Sequence, residues 1–551
     1  MRETRFGRRP LVTGGGSDRS TLMVQPTLGL VLTQSASNLP PGATPSSVNF
    51  INGYIGLEKR WTLTSRSTQS LSQDAPILGG AEIVDVTGTP YQFASTTTRP
   101  LWYSNGSWSF ASYVSSNGIN DAPSLSTTSY WDIDQIYYDT QDENCAVLAA
   151  GSYQTLYIWQ SGKTVFSTLS NAPRARFVTG FDNFLVAGNI RQGTSDFVQR
   201  VEWSDRGSIA TWLLNAPTGS LAGYADLLDM KGQITRLVGH DNRVVVFSDQ
   251  EVWAGGRVDF PASFDFQPLD RTVGAPYSWT VAVTRLGVCW LGKDYNVYLL
   301  PKGGAQAQPI GTAVQPELQA TVNQPERAWG VYNKATDQYE LYYPTRGGSG
   351  YPQAALYFDL RTGTWLKQTF DATLNLTRGW MGSLTATTTS NATTWADAQT
   401  AGLRWADVTG TWGDYGASSA GQSGDLAVHA GLSTGSVCYF SKGTTDLGVV
   451  VESRWRSGGL GGAEPYRNKT LYEVRVDYQA DSASSLTIRA SRNQGESFEA
   501  GQQVALPTNS IESQARATMQ VNSRYPVFEV TTEIGRPKLN RFWTDMRIGS
   551  R

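Results

Sequence analysis

The sequence predicts an all-β protein: a β-propeller body of roughly seven or eight blades with an additional β-sandwich or platform domain. Three observations carry this prediction. The composition suits short strands joined by many turns, with 551 residues, 17% charged side chains, 11% aromatics and 56 glycines, and it lacks the Ala, Glu, Lys and Leu enrichment of helical proteins. Paired apolar stretches separated by turn residues recur between residues 76 and 440 at a beat of roughly 40 to 55 residues, close to the period of a four-stranded blade. Finally, Trp-x-Asp occurs three times between Trp395 and Tyr415 and returns as Trp203-Ser-Asp205 and Trp543-Thr-Asp545. In that device the indole anchors a loop on its neighbours while the carboxylate two residues on caps backbone N–H groups in a turn. A single immunoglobulin-like sandwich needs only about 100 residues, and several in series would show linkers, which are missing between residues 130 and 370.

Residues 1–75 read as an N-terminal arm and platform strands. Arg2, Arg5, Arg8 and Arg9 precede a Gly-rich turn, followed by Leu28 to Leu32, Leu39-Pro-Pro-Gly42 and a strand-like run from Ser47 to Leu63. The four arginines are a candidate intersubunit arm, against the plainer reading of a solvated terminus.

Residues 76–440 read as the propeller. Ala81 to Phe93 and Pro100 to Tyr113 form a first cluster with Asn105-Gly106 as a hairpin turn, and Asn144 to Trp159 returns through Ser161-Gly162 along Lys163 to Leu169. Asp182-Asn183 opens a strand that pairs with Phe197 to Trp203. Asp241-Asn242 repeats that layout before Glu251-Val-Trp253, and Asp294-Tyr-Asn296 is expected at a matching turn between Gly287 to Leu291 and Asn296 to Leu300. Gln338 to Tyr343, Ala355 to Phe358 and Gly363 to Trp365 complete the series. Such a fold suits the sequence because each small sheet buries its faces on the next and exposes only short edges.

Residues 441–551 read as a C-terminal β-sandwich after a short linker around Ser457 to Gly462. Leu471 to Tyr478 and Leu486 to Ala490 alternate, and Val527 to Ile534 and Phe542 to Ile548 are further strands, with Ser491 to Ser497 as a turn.

The formal net charge of −2 gives no general reason to expect base-independent nucleic-acid binding, although a conduit that merely surrounds DNA needs no basic surface. Among the basic residues, 35 Arg outnumber 10 Lys, which reflects base composition or the suitability of Arg for subunit interfaces. Cys145, Cys289 and Cys438 are expected as buried free thiols, not a disulfide framework. The basic opening MRETRFGRRP is followed by no apolar signal region, and no apolar run is long enough to span a membrane. The expectation is a soluble protein assembled in a reducing cytoplasm.

The motifs that carry chemistry elsewhere fail here on context. Ser161-Gly-Lys-Thr164 ends like a phosphate loop, but Tyr157 stands where the first glycine belongs and no helix start is expected. Gly431-Leu-Ser-Thr-Gly435 spells a nucleophile elbow, yet both histidines, His240 and His429, precede Ser433, whereas the triad order needs a later one. Asp132 and Asp134, with Asp139, Asp142 and Glu143 beyond, would offer hard oxygen ligands to Ca²⁺ but lack the Asp-x-Asp-x-Asp-Gly spacing, so a solvated turn is the competing reading. Ser491 to Phe498 loosely resembles the structural Asp-box of sialidases, with Asn493 and Phe498 in place of its Asp and Trp. The Asn-x-Ser/Thr matches starting at Asn105, Asn375, Asn391 and Asn468 mean little without a secretory signal. No catalytic, cofactor-binding or metal-binding residues are assigned, and no cofactor is expected.

An Arg-rich start leading to Pro-Pro-Gly, Phe181-Asp-Asn-Phe-Leu-Val-Ala-Gly188 followed by Arg200-Val-Glu-Trp-Ser-Asp205 and Thr211-Trp212, the Trp-x-Asp series, and Asn493-Gln-Gly-Glu-Ser-Phe498 occur together. In these passages the chain resembles the tail nozzle, or tail hub, proteins of short-tailed bacteriophages. The resemblance implies a structural virion protein without enzymatic activity, assembled in the host cytoplasm into a homohexameric ring of the phage tail. That ring lies below the portal and adaptor, continues the channel for DNA ejection without specific DNA binding, and docks fibres, spikes or a needle-like plug. Trp395, Asp397, Trp405, Asp407, Trp412 and Asp414 then become a candidate docking or assembly loop. The alternative is a propeller-type glycan-binding protein or glycosidase acting on bacterial surface sugars, motivated by 18 Trp and 25 Tyr; core and inter-blade packing is the commoner use of such aromatics.

Overall fold

Turn chemistry sets the pattern of the chain. Asp182 and Asn183 both adopt positive φ (46° and 61°), as do Asp241 and Asn242 (55° and 58°). Two consecutive left-handed residues make the type I′ turn, whose twist matches the strands that it joins. Each Asp-Asn pair therefore folds the first strand of a blade onto the second. Tyr295 is also left-handed (φ 63°), but its turn joins a second strand to a third, so Asp294 does not match the Asp-Asn positions as expected.

The computed structural model describes residues 19–549 apart from 54–55, 67–75, 105–106, 115–122, 127–128, 140–141, 161–164, 170, 260–261, 385–425 and 462–465. The chain divides into two compact units, Arg60–Val451, and Met1–Lys59 with Glu452–Arg551.

The first unit is a β-propeller of seven blades. Blade one is built from Gly79–Val84, Pro90–Ser95, Pro100–Ser104 and Ser107–Phe110. Blade two takes Asp132–Tyr138, Glu143–Ala149, Tyr157–Gln160 and Val165–Thr168, with Ser112–Val114 added in parallel at its edge. Blade three uses Arg174–Phe181, Phe184–Gln192, Ser195–Trp203 and Gly223–Asp226, and blade four Ile234–His240, Arg243–Ser248, Val252–Arg257 and Phe264–Asp270. Ala282–Val283, Gly287–Leu291, Val297–Pro301 and Gln308–Pro309 make blade five; Trp329–Asn333, Gln338–Pro344, Pro352–Asp359 and Thr364–Thr369 make blade six. Blade seven combines Leu376–Ser383, Leu426–Leu432 and Val437–Ser441 with Thr62–Ser65 from the other end of the chain.

The second strands are buried on both faces because each blade lies between two others, so they read as continuous apolar runs. Val244, Val245, Val246 and Phe247 are all buried, as are Val288, Cys289, Trp290 and Leu291. Ile77, Ala94, Leu101, Trp108, Trp380 and Val437 form one cluster that joins blades one and seven and closes the ring. Gly80 is required there: a Cβ would stand 2.2 Å from the Trp380 ring.

Closure corrects the expected boundaries. The propeller runs from Arg60 to Val451 and not from 76 to 440, because Thr62–Ser65 supplies the outer strand of blade seven, with Ser65 opposite Cys438 and Thr62 opposite Ser441. Asp446 locks the junction. It forms a buried ion pair with Arg60 through both terminal guanidinium nitrogens and accepts the Leu63 N–H at 2.8 Å, while Arg60 Nη2 also donates to Thr369 O at 2.9 Å.

The second unit is a β-sandwich made from both ends of the chain, so the N-terminal platform strands and the C-terminal sandwich, expected as separate segments, are one fold. One sheet orders Asn509–Ser523, Lys469–Ala480, Pro537–Ile548, Leu57–Lys59 and Phe50–Asn52, and Arg19–Val24 also pairs with Pro537–Ile548. The other sheet contains Ser46–Val48, Ser453–Arg456, Val527–Thr532, Ser484–Ser491 and Gln502–Leu506. Trp455 from one sheet stacks on Phe542 from the other with ring centroids 4.8 Å apart, and Phe528 packs edge-on at 5.5 Å from Phe542. Among the described residues no helix is long and apolar enough to cross a membrane.

Candidate functional site at the propeller axis

The first strand of each blade lies innermost, and the residues that start these strands converge. Tyr130 and Asp132 enter blade two, and Arg236 lies near the start of the inner strand of blade four. Trp279 sits on the 3-10 turn Ser278–Thr280 that leads into blade five, and Arg378 is near the start of the inner strand of blade seven. Tyr130 meets Trp279 with ring centroids 5.4 Å apart, Arg236 pairs with Asp132, and Arg378 Nη1 donates to Trp279 O at 2.9 Å. Side chains from blades two, four, five and seven touch in this way only across the axis of the propeller.

Trp279 is the centre of the cluster. The guanidinium carbons of Arg378 and Arg236 lie 4.8 Å and 5.2 Å from its ring centroid, a cation–π arrangement on a shared indole. Phe177 of blade three packs beside the same ring at 6.1 Å. Burial, and then the neighbouring Arg236, lowers the Arg378 guanidinium to about 9. Burial pushes the Tyr130 hydroxyl up to about 12, so it stays protonated at neutral pH. Asp132, 1% exposed, accepts from Arg236 with one oxygen and from the Val178 N–H at 3.0 Å with the other. The carboxylate at this mouth is therefore engaged in holding the blades, and the cluster has the character of a cation pair on an aromatic plate.

Two other acidic groups are held in partly neutral form, in separate blades. Burial pushes Glu202 of blade three up to about 7, and Glu340 of blade six also to about 7. Glu340 accepts from Asn333 Nδ2 and from the Tyr342 hydroxyl, each at 2.7 Å.

The candidates drawn from the sequence separate into several fates. Trp395, Asp397, Trp405, Asp407, Trp412 and Asp414 lie outside the described residues, as do Arg2, Arg5, Arg8 and Arg9. Residues 385–425 connect the first two strands of blade seven, whose last cross-strand partners are Ser383 and Leu426. Trp203 and Asp205 act together as the tripeptide suggested: the Trp203 indole N–H donates to Leu221 O at 2.8 Å and Asp205 Oδ1 accepts the Leu221 N–H at 2.9 Å. Trp543 and Asp545 do not cap a turn. Both lie within the strand Pro537–Ile548, where Trp543 donates to Asp477 at 2.7 Å and Asp545 pairs with Arg475 at 3.0 Å.

Asp134 accepts from Thr179 Oγ1 and the Gly180 N–H, each at 2.9 Å, so with Asp132 it binds the inner strand of blade three. No group of three metal-ligating side chains occurs among the described residues. The Asp-box-like turn folds on its own side chains: Ser491 Oγ accepts the Gly495 N–H and Asn493 Oδ1 accepts the Ser497 N–H, each at 2.9 Å.

The sequence reading missed the axial cluster. Its signal was a charged residue inside an otherwise apolar inner strand, Thr-Arg236-Leu-Val and Thr-Arg378-Gly-Trp, a place where an arginine is costly without a partner.

Fold and site together define a seven-bladed propeller with a cation-rich axial mouth, continuous in chain with a β-sandwich. The chain matches no protein-family model and no curated protein. Among solved structures it is similar to an exo-β-1,3-galactanase from Phanerochaete chrysosporium with galactose, at 9% identity and a TM-score of 0.27 over 88% of this chain and 100% of that one. It is also similar to the WD40 domain of Neurospora crassa Pan2, at 6% identity and a TM-score of 0.36 over 71% of this chain and 97% of that one. The propeller is defined by its own strand order.

Proposed function

We propose that the chain is a structural virion protein, the subunit of a ring-shaped tail nozzle below the portal and adaptor, serving as a conduit for genome ejection and a docking site for fibres or a plug. The observation that carries this reading is the way the propeller is closed. Its last blade is sealed by a strand from the opposite end of the chain and bolted by the Arg60–Asp446 pair, so the ring of blades cannot open without breaking both a strand ladder and a buried ion pair. Such a closure suits a subunit that bears mechanical load. The axial polar groups support the same reading, since Asp132 is committed to Arg236 and Val178 where a sugar hydrolase needs two available carboxylates.

The stretch Trp395 to Tyr415, within residues 385–425, is the candidate docking segment. Because Ser383 and Leu426 are cross-strand partners, an Asn-Gly turn in place of residues 385–425 is expected to leave the propeller folded. The purified chain and this deletion variant are compared by native mass and negative-stain imaging. A six-fold ring from the full chain that is lost in a still-folded deletion variant supports the proposal. A compact monomer that binds glycans or releases sugar replaces it with the glycan-directed alternative.

A further inference from the structure

Among the described residues, one guanidinium of the axial cluster has no carboxylate of its own. Arg236 has Asp132. Arg378 has the Trp279 carbonyl and the face of its ring, and among the described residues it forms no ion pair. Arg327, on the turn Pro325–Arg327 leading into blade six, is a third cation acting on the same Tyr130; it donates to Gly350 O at 3.2 Å and lies over the Tyr351 ring at 5.0 Å. The carboxylate acting on Tyr130 is Glu326, which is exposed. Of these guanidinium groups Arg236 is committed to Asp132, whereas Arg378 has no carboxylate of its own among the described residues.

Two guanidinium groups sharing one indole repel each other, and desolvating a cation without a counter-charge is unfavourable. A folded mouth that keeps this arrangement is preorganised for something that arrives later. We propose that the axial mouth binds an oxyanion, the carboxylate or phosphate group of a small ligand, between Arg378 and Arg236. The planar guanidinium fork matches either group through paired N–H donors. The Tyr130 hydroxyl, protonated at neutral pH, is a further donor in the cluster, and both arginines lie against the Trp279 ring. Arg378 is partly buried and the Arg236 side chain keeps 14% of its exposure, so neither guanidinium is sealed from solvent. The proposal is independent of ring assembly and of the nozzle reading.

The test is thermal unfolding of the full chain, titrated with sodium phosphate, sulfate, acetate or citrate, each against sodium chloride at the same ionic strength. A saturable rise in Tm with an oxyanion but not with chloride is expected. Arg378→Gln should weaken the apparent affinity by about tenfold or more, through loss of a charge-assisted bond pair, while Arg206→Gln, on a turn of blade three, should leave it unchanged. A response to phosphate and sulfate alone identifies the phosphate class, and one to acetate or citrate alone the carboxylate class. A rise no greater than that with chloride, or an equal rise in Arg378→Gln, overturns the site. Should Arg378→Gln not fold, crystals of the unaltered chain soaked in selenate decide the matter. An anomalous peak within hydrogen-bonding distance of Arg378 supports the proposal, and its absence overturns it.

Discussion

Arg60 and Asp446, 386 residues apart in sequence, meet inside blade seven with side-chain exposures of 1% and 3%. The Arg60 guanidinium lies 4.5 Å from the Phe370 ring centroid, so the pair is walled by apolar surface. Asp446→Ala leaves a buried guanidinium without its carboxylate, and removal of one partner from such a pair costs about 3–5 kcal/mol. Replacing both partners by apolar residues of similar size (Arg60→Met with Asp446→Leu) should recover much of that loss. Denaturant midpoints of the two variants check this; a destabilisation of Asp446→Ala below about 1 kcal/mol would mean the bolt is not what holds the blade.

Glu340 predicts an unusual pH dependence. Its folded pKa, pushed up to about 7 by burial, lies above its ordinary value of 4.5, so the native state holds the proton more tightly than the unfolded chain. The stability contributed by the protonated form is fully present below pH 4.5, falls as pH rises towards 7, and is gone above that. The displacement is worth about 3 kcal/mol in order of magnitude. Glu202, also raised to about 7, acts with the same sign. Glu340→Gln should therefore be at least as stable as the unaltered chain at pH 8 and show a shallower decline between pH 5 and 7. An unchanged slope in the Glu202→Gln, Glu340→Gln double variant counts against the assignment.

What could be read from the sequence was local. The Asp-Asn turns at 182 and 241 mark hairpins because they need positive φ at successive residues, and few residue types adopt it. The apolar second strands follow from burial on both faces. The outer strand Thr62–Ser65 escaped because its partner, Val437–Ser441, is chosen by ring closure and not by any nearby residue. The axial cluster escaped for a related reason: Tyr130, Arg236, Trp279 and Arg378 have no common spacing, and only the circular arrangement of blades brings them together. Trp543-Thr-Asp545 shows the converse failure, a shared tripeptide that does different work because it lies in a strand.

Trp203 and Asp205 grip opposite ends of one residue, the carbonyl and the N–H of Leu221, and so set where the chain re-enters blade three at Gly223. Trp203→Phe keeps most of the ring but removes the donor, at an expected cost of about 1 kcal/mol, and Asp205→Ala should cost about the same. Because both act on Leu221, the double variant should lose less than the sum, with a coupling of about 0.5 kcal/mol or more in a double-mutant cycle. Strict additivity would show that the two bonds hold the loop independently.

The thiols should be chemically silent while the propeller is folded. Cys145, Cys289 and Cys438 are buried in second and third strands, and burial pushes each up to about 12 from an ordinary 9. The thiolate is the reactive form, so a rise from 9 to about 12 reduces its population at pH 8 by about a thousandfold, and the burial of the sulfur adds a steric barrier. A disulfide reagent added to the native chain at pH 8 should consume no equivalents over minutes, then three equivalents once guanidinium chloride unfolds it. The Asp446→Ala variant links this test to the blade-seven closure: Cys438 lies opposite Ser65 in the closing ladder, so loosening that strand should expose Cys438 before Cys145 or Cys289. Simultaneous labelling of all three would instead show that the blades open together.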